Sequence, residues 1–236
     1  MQYLGGKSRI AKQIASYLRS VRQPGQLYVE PFVGGASVLA LMENPRQASD
    51  VCEDLILLYQ ALQTGWMPPE SVTEEEYRAL RDAPPSALRG FVGFACSFAG
   101  KWFGGYARAR THYRNYALNA VNGFRKLVPQ LEGVNFFHCD YTAFSATRAL
   151  IYCDPPYAGT TGYGATAPFI WEDFWEHMRY LSQRNVVVVS EYQAPADFEC
   201  MLEIPTKLDM NRKAGQALEY RTERLFRWKG SREQGA

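Results

Sequence analysis

Short buried apolar runs alternate along this chain with glycine turns and segments of helical period, and this alternation restricts the fold more than any other feature. Gln26 to Phe32 reads as a buried strand, Gly34-Gly35 turns the chain, and Ala36 to Met42 reads as a helix. Gln47 to Cys52 follows as a second strand and Asp54 to Thr64 as a second helix. Parallel strands need a crossover between them, so this order is the front half of a doubly wound α/β sheet. Upstream, the apolar spacing from Ser8 to Val21 predicts a helix with Ser8 as its N-cap. Downstream, Val134 to His138, Ala149 to Cys153 and the valine-rich Asn185 to Ser190 read as strands, with Trp171 to Ser182 a helix between the last two. Two further strands are expected near Cys200 to Ile204 and Arg221 to Trp228.

The pattern is broken in the middle. Pro68-Pro69 and Pro84-Pro85 punctuate the chain, and between them Thr73 with Glu76 fits a capping box opening a short helix. From Ala83 to Leu131 there is no Asp or Glu, while Arg89, Lys101, Arg108, Arg110, Arg114, Arg125 and Lys126 all fall there. Residues 65–125 are therefore read as an insertion into a sheet domain made of residues 1–64 and 126–236. With 236 residues, 47% of them hydrophobic, the chain has enough apolar material for one large domain carrying such an insertion. The net charge of +2 says little about partners; the local basic stretch says more.

The five cysteines are odd in number, scattered, and contain no CxxC pair, which argues against a disulfide framework or zinc site and for a reducing cytosol. His112, His138 and His177 show no metal-ligand spacing, so no metal is expected. No apolar run is long enough to span a membrane and no signal-peptide core opens the chain, so a cytoplasmic protein with no membrane partner is the expectation.

Three segments carry chemistry. Asp154-Pro155-Pro156-Tyr157 follows directly on the strand Ala149 to Cys153, and ligands of parallel α/β sheets bind at the carboxyl ends of the strands. The prolines lack N–H donors and fix the backbone, so a carbonyl can face a cavity. Asp154 adds a second acceptor, and two acceptors suit one NH₂ group. Tyr157 offers a flat face for a planar base. Taken alone, the tetrapeptide reads equally well as a proline turn capped by an aspartate. Glu30-Pro31-Phe32-Val33-Gly34-Gly35-Ala36-Ser37 places glycines at a strand-to-helix turn, where a cofactor could approach the backbone. It has neither the Walker lysine nor a GxGxxG pattern, and alone it is a tight turn. Asp50 ends the second strand, where an acid is placed to accept from ribose hydroxyls or to sit in solvent.

In order, these pieces resemble the Dam-like, D12 class, alpha-type adenine-N6 DNA methyltransferases. The matching segments are Tyr3-Leu4-Gly5-Gly6-Lys7, Glu30 to Ser37, Ser49 to Leu55, Phe137-His138-Cys139-Asp140-Tyr141 and Asp154 to Tyr157. The resemblance covers most of the chain except the central insertion. It implies a Rossmann-like S-adenosylmethionine-dependent methyltransferase sheet with a small, mostly helical target-recognition insertion. It places Tyr3 and Lys7 at the cofactor and target pocket, and Glu30, Phe32 and Gly34 at the methionine portion of S-adenosyl-L-methionine. It places Asp50 at the ribose, Asp140 at the cofactor's adenine, and Asp154, Pro155 and Tyr157 at the target adenine. Two positions depart from the family: Tyr3 stands where Trp is usual and Ala36 where a further Gly is usual.

The expected reaction is direct in-line methyl transfer to N6 of an adenine flipped out of double-stranded DNA, with no covalent cysteine intermediate. The acid-free stretch includes Phe98 to Arg110, which combines glycines, aromatics and basic residues, and Lys101, Arg108, Arg110 and Arg114 of that stretch are the candidate DNA contacts. An aromatic core segment with a solvated basic rim is the alternative. Rival functions are methylation of cytosine N4 or of RNA, and a non-catalytic DNA-binding protein that keeps the fold. The shortness of the chain for its family suggests a phage or prophage source, with restriction-modification among the roles. The recognised site and the oligomeric state are not legible.

Overall fold

The computed structural model describes residues 3, 5–108, 114–156, 169–207 and 220–231. Among these residues, seven strands form one sheet: β1 (Tyr28–Glu30), β2 (Arg46–Asp50), β3 (Val134–His138), β4 (Leu150–Cys153), β5 (Val186–Glu191), β6 (Phe198–Lys207) and β7 (Tyr220–Trp228). Their order is β3-β2-β1-β4-β5-β7-β6. The first five run parallel, while β7 lies antiparallel beside β5 and pairs with β6 as a hairpin. The direction of winding reverses between β1 and β4. That reversal opens a crevice at the carboxyl ends of the strands, the switch point of a Rossmann-like sheet.

Helices cover both faces. Side chains alternate along a strand, so Tyr28, Leu150, Tyr152, Val188 and Leu225 face one way and join the larger apolar core. That core is completed by α1 (Ala11–Val21), α2 (Glu53–Gln63), α4 (Ala87–Ala95) and α5 (Tyr116–Leu127). Val29, Ile151, Cys153, Val187, Val189 and Phe226 face the other way and pack on α6 (Trp171–Ser182).

The central segment is part of this core. Helix α3 (Glu74–Arg81) opens with the expected capping box, Thr73 accepting from the Glu76 N–H and Glu76 from the Thr73 N–H. Helix α4 lies against α2 so closely that a Cβ on Gly90 would stand 2.3 Å from the Asp54 carbonyl oxygen. Phe91, Phe94 and Phe124 are fully buried in the same cluster as Leu18 and Leu55. The 65–125 segment thus shares one continuous interior with the sheet.

Two expectations fail. The run Ala36 to Met42 forms only a 3-10 turn, Leu39–Leu41, because Gly34 (φ 44°) and Ala36 (φ 54°) take left-handed conformations that break a helix. Its apolar residues are buried as loop. Helix α1 begins at Ala11, with Ile10 rather than Ser8 at the N-cap, because residues 8–10 form a turn that closes on the Lys7 carbonyl. No helix among the described residues is long and apolar enough to cross a membrane.

Candidate active site

Four strands deliver acidic side chains to the crevice or its rim. Glu30 ends β1, Asp50 ends β2, Asp154 follows β4, and Glu223 lies on β7. Alternation puts Tyr28 and Glu30, Tyr152, Ser190, and Glu223 on the face that carries the larger core. The N-terminal segment lies across this face and lowers Lys7 into it. Lys7 is buried, with Nζ 2.6 Å from Asp154 Oδ1 and 4.0 Å from Glu223 Oε2. Glu223 Oε1 accepts from the Ser190 hydroxyl at 2.7 Å. Burial acts to lower the Lys7 pKa, but the Asp154 and Glu223 carboxylates outweigh it and hold the ammonium above its ordinary value.

Glu30 is buried and accepts from the Tyr28 hydroxyl. Burial pushes its carboxyl from 4.5 up to about 8; the Tyr28 bond and Arg46 oppose the rise and the Asp154 charge adds to it. Asp50 is also buried. Its oxygens accept from the Gly34 N–H and the Cys52 N–H, each at 3.0 Å, yet burial still raises its pKa. The carboxylate on β2 therefore ties down the glycine turn that follows β1. The turn is held from its other side by Tyr59, whose hydroxyl donates to the Gly34 carbonyl at 2.6 Å. Burial pushes the Cys153 thiol up, so the cysteine beside Asp154 is held as a thiol.

The remaining predicted site residues fall around this centre. The Tyr3 ring covers Gly34 and packs on Phe94 with ring centroids 4.9 Å apart. Phe32 stacks on Tyr141 at 5.2 Å, next to Asp140, which caps the turn Tyr141–Ala143 through the Thr142 N–H and hydroxyl. Asp140 is exposed, Asp154 half-buried and Pro155 buried. Tyr157 and Arg110 lie outside the described residues, as does His112.

Lys101, Arg108 and Arg114 are exposed on the segment between α4 and α5, away from the acidic centre but connected to it: Trp102 packs on Phe94, and Phe94 on Tyr3. The basic stretch is less basic in three dimensions than in sequence. Arg89 is tied to Asp54 inside the protein, Arg125 pairs with Glu70, and Arg108 pairs with Glu74 at 2.6 Å. Of the aromatics, Trp102, Phe103 and Tyr106 are committed to packing, whereas Phe98 is 71% exposed.

Sequence reasoning passed over Glu223 entirely. Its signal was an acid placed beside the apolar centre of β7, where Glu223 and Leu225 are buried while Arg221, nearer the strand's start, is exposed. A charged residue in an inward register needs a partner from elsewhere in the fold, and that partner is 216 positions away in sequence at Lys7.

Residues 3–83 match the model of the D12 class N6 adenine-specific DNA methyltransferase family. Proteins described as DNA adenine methylase from Salmonella typhimurium and Salmonella typhi are 28% identical to the chain over 205 residues, spanning 72% of the chain and 67% of each relative. Among solved structures, an rRNA methyltransferase from Streptomyces viridochromogenes aligns at 15% identity and TM-score 0.45, covering 97% of this chain and 87% of that one. A tRNA (m1A58) methyltransferase from Aquifex aeolicus aligns at 10% identity and TM-score 0.41, covering 97% and 70%.

Proposed function

From its similarity to the D12 class of N6 adenine-specific DNA methyltransferases over residues 3–83 and to DNA adenine methylases, we propose that the chain belongs to that class and uses S-adenosyl-L-methionine to methylate N6 of an adenine flipped out of double-stranded DNA. The observation that carries the reading is the Lys7–Asp154 pair. A carboxylate at the carboxyl end of β4, beside the switch point, is held in one orientation by an ammonium 2.6 Å away. An exocyclic amine entering the crevice would meet an acceptor that is already oriented, which is where electrostatic preorganisation has most effect.

The residues present suit the cofactor. Glu30, whose carboxyl stands at about 8 without a cation on it, is matched to an ammonium group such as that of the methionine portion. The Gly34 turn lets the backbone approach that portion closely, Asp50 is assigned the ribose, and Asp140 the adenine amine. When bound, the cofactor supplies an electrophilic methyl group on a sulfonium. The protein's part is to bind the target amine between the Asp154 carboxylate and the Pro155 carbonyl, polarise both N–H bonds so that density stays on the nitrogen, and align the nitrogen lone pair. Tyr157 is assigned to stack on the target base.

The segment Phe98 to Arg114 is assigned to DNA. Lys101 and Arg114 are available to phosphates or base edges, whereas Arg108 must exchange Glu74 for DNA. Arg110 is assigned with them from the sequence. Phe98 is an exposed aromatic placed to enter or cap the stack. Extrusion of the base costs a few kcal/mol, and stacking on an aromatic offsets about 1–3 kcal/mol of it. The work is assigned to the cytoplasm, where the DNA lies.

The test is a nucleoside digest, resolved by mass spectrometry, of duplex DNA incubated with the protein and S-adenosyl-L-methionine. N6-methyladenine is the expected product. N4-methylcytosine, methylated RNA bases only, or no modified nucleoside would each overturn the reading.

A further inference from the structure

The methyltransferase reading uses Asp154 and Lys7 but leaves Glu223 without a role. Glu223 is 4% exposed, on an antiparallel strand outside the parallel sheet that forms the crevice. A buried carboxylate is expensive unless it is paired and hydrogen-bonded. Here both conditions are met by residues of the site itself. Ser190, at the end of β5, donates to Oε1 at 2.7 Å, and Lys7 Nζ stands 4.0 Å from Oε2. The register explains the geometry. Ser190 pairs with Leu225, and β7 runs antiparallel to β5, so Glu223, two residues before Leu225, projects from the same face of the sheet one step nearer the crevice.

We propose that Glu223 is a positioning residue for methyl transfer: held by Ser190, it fixes the Lys7 ammonium so that Lys7 in turn orients Asp154. A lysine has a long, mobile stem and three donors, so one partner alone does not define where its charge sits. Two carboxylates on different strands define it. The hairpin β6–β7 thereby contributes to a reaction centre formed otherwise from β1, β4 and the N-terminal segment. The inference rests on the reading above, in which Asp154 meets the target amine.

Among the described residues, the groups facing Lys7 include Asp154, Glu223 and Tyr192, and those facing Asp154 and Glu223 from the neighbouring strands include Glu30 and Tyr152. Arg221 lies over the Tyr192 ring. In Glu223→Gln the amide oxygen can keep the Ser190 bond, but one of the carboxylate charges that raise the Lys7 pKa above 10.5 is lost.

The test is single-turnover methylation by wild type, Glu223→Gln and Glu223→Asp across alkaline pH, together with cofactor affinity by calorimetry. In Glu223→Gln the methylation rate should fall about tenfold or more while cofactor affinity stays within about twofold, the split expected of a residue that acts only on the reacting centre. The alkaline limb of its rate profile should move down, and Glu223→Asp should restore the limb toward wild type. The Tyr192 contribution is common to all three proteins and cancels. An unchanged rate and limb in Glu223→Gln would overturn the proposal. So would a loss confined to cofactor affinity. Should Glu223→Gln fail to fold, Ser190→Ala serves instead: a severalfold slower rate at unchanged cofactor affinity supports the proposal, and a wild-type rate overturns it. If wild type itself yields no N6-methyladenine, the methyltransferase reading fails first, and the two failures are told apart.

Discussion

The Tyr3 ring lies over Gly34 so closely that a Cβ on that glycine would stand 2.8 Å from the tyrosine Cε1. Gly34 also has a φ of 44°, in the region that side chains resist. Two independent constraints thus require glycine at the turn where the cofactor is assigned. Gly34→Ala is expected to destabilise the protein by about 1–3 kcal/mol through overpacking and strain, and to weaken cofactor binding because the turn must move. Thermal melting and calorimetry check both. The double variant Gly34→Ala, Tyr3→Ala should recover part of the stability, since only the steric half of the constraint is removed. If the single variant binds and melts like wild type, the turn is looser than described.

Asp154→Ala should abolish methyl transfer and leave cofactor affinity close to wild type. Its carboxylate pairs with Lys7, whereas the Gly34 N–H is held by Asp50. Near-normal turnover would remove the central residue of the mechanism.

Glu30 makes cofactor binding depend on pH, with a sign fixed by its environment. Burial holds the carboxyl protonated up to about 8. An ammonium ligand requires the carboxylate, so binding below that pH must release a proton. The affinity for S-adenosyl-L-methionine should therefore rise by up to tenfold per unit toward pH 8 and level off above it. Stability runs the opposite way. Between the ordinary value of 4.5 and about 8 the folded protein holds a proton that the unfolded chain has lost. The fold of the unliganded protein should therefore weaken as pH rises through this window, by up to about 1.4 kcal/mol per unit. Glu30→Gln should flatten both dependences, as calorimetry and melting over pH 5–9 (about 1 unit apart) will show. A cofactor affinity independent of pH in wild type would place the ammonium elsewhere.

Asp50 is assigned the ribose and already serves the fold. Asp50→Ala should weaken cofactor binding by about 1.5–3 kcal/mol and, without cofactor, also lower stability, because the Gly34 and Cys52 N–H groups lose their acceptor. Equal cofactor affinity in both proteins would restrict Asp50 to the turn.

For target selection, few side chains are available. Arg89 and Arg125 are engaged by Asp54 and Glu70, and Arg108 is shared with Glu74. Each bidentate base contact contributes about 1–3 kcal/mol of discrimination, and contacts to phosphate carry none. The recognition sequence is therefore expected to be about four base pairs or fewer. Replacing Lys101 and Arg114 should relax the site or weaken binding to all DNA with a smaller salt slope, and Phe98→Ala should slow methylation of paired adenine more than of adenine in a mismatch. Modification-sensitive sequencing and binding titrations distinguish these outcomes. A strict site of six or more base pairs (roughly half a helical turn) would move recognition to another segment.

Much of this was legible from sequence. Strands β2 to β5, helices α2 and α6 and the capping box before α3 follow from period and from local turn chemistry, which act between near neighbours. The resemblance to a family rests on equally local signals, the short motifs that contain Glu30, Asp50 and Asp154 at or just after strand ends, which can be read from the apolar run before each. The helix expected over Ala36 to Met42 was not legible correctly, since apolar period cannot see that Gly34 and Ala36 take left-handed conformations.

Pairing over long separations was decided only in three dimensions. The basic stretch was a row of charges in sequence, and the fold neutralised Arg89, Arg108 and Arg125 with acids from α2, α3 and the preceding loop. Lys7 and Asp154 stood in the sequence as two separate motif residues, and Glu223 as one acid among arginines. Burial at the crevice rim made them a single electrostatic unit, because a charge removed from water must find its opposite wherever the chain can bring it.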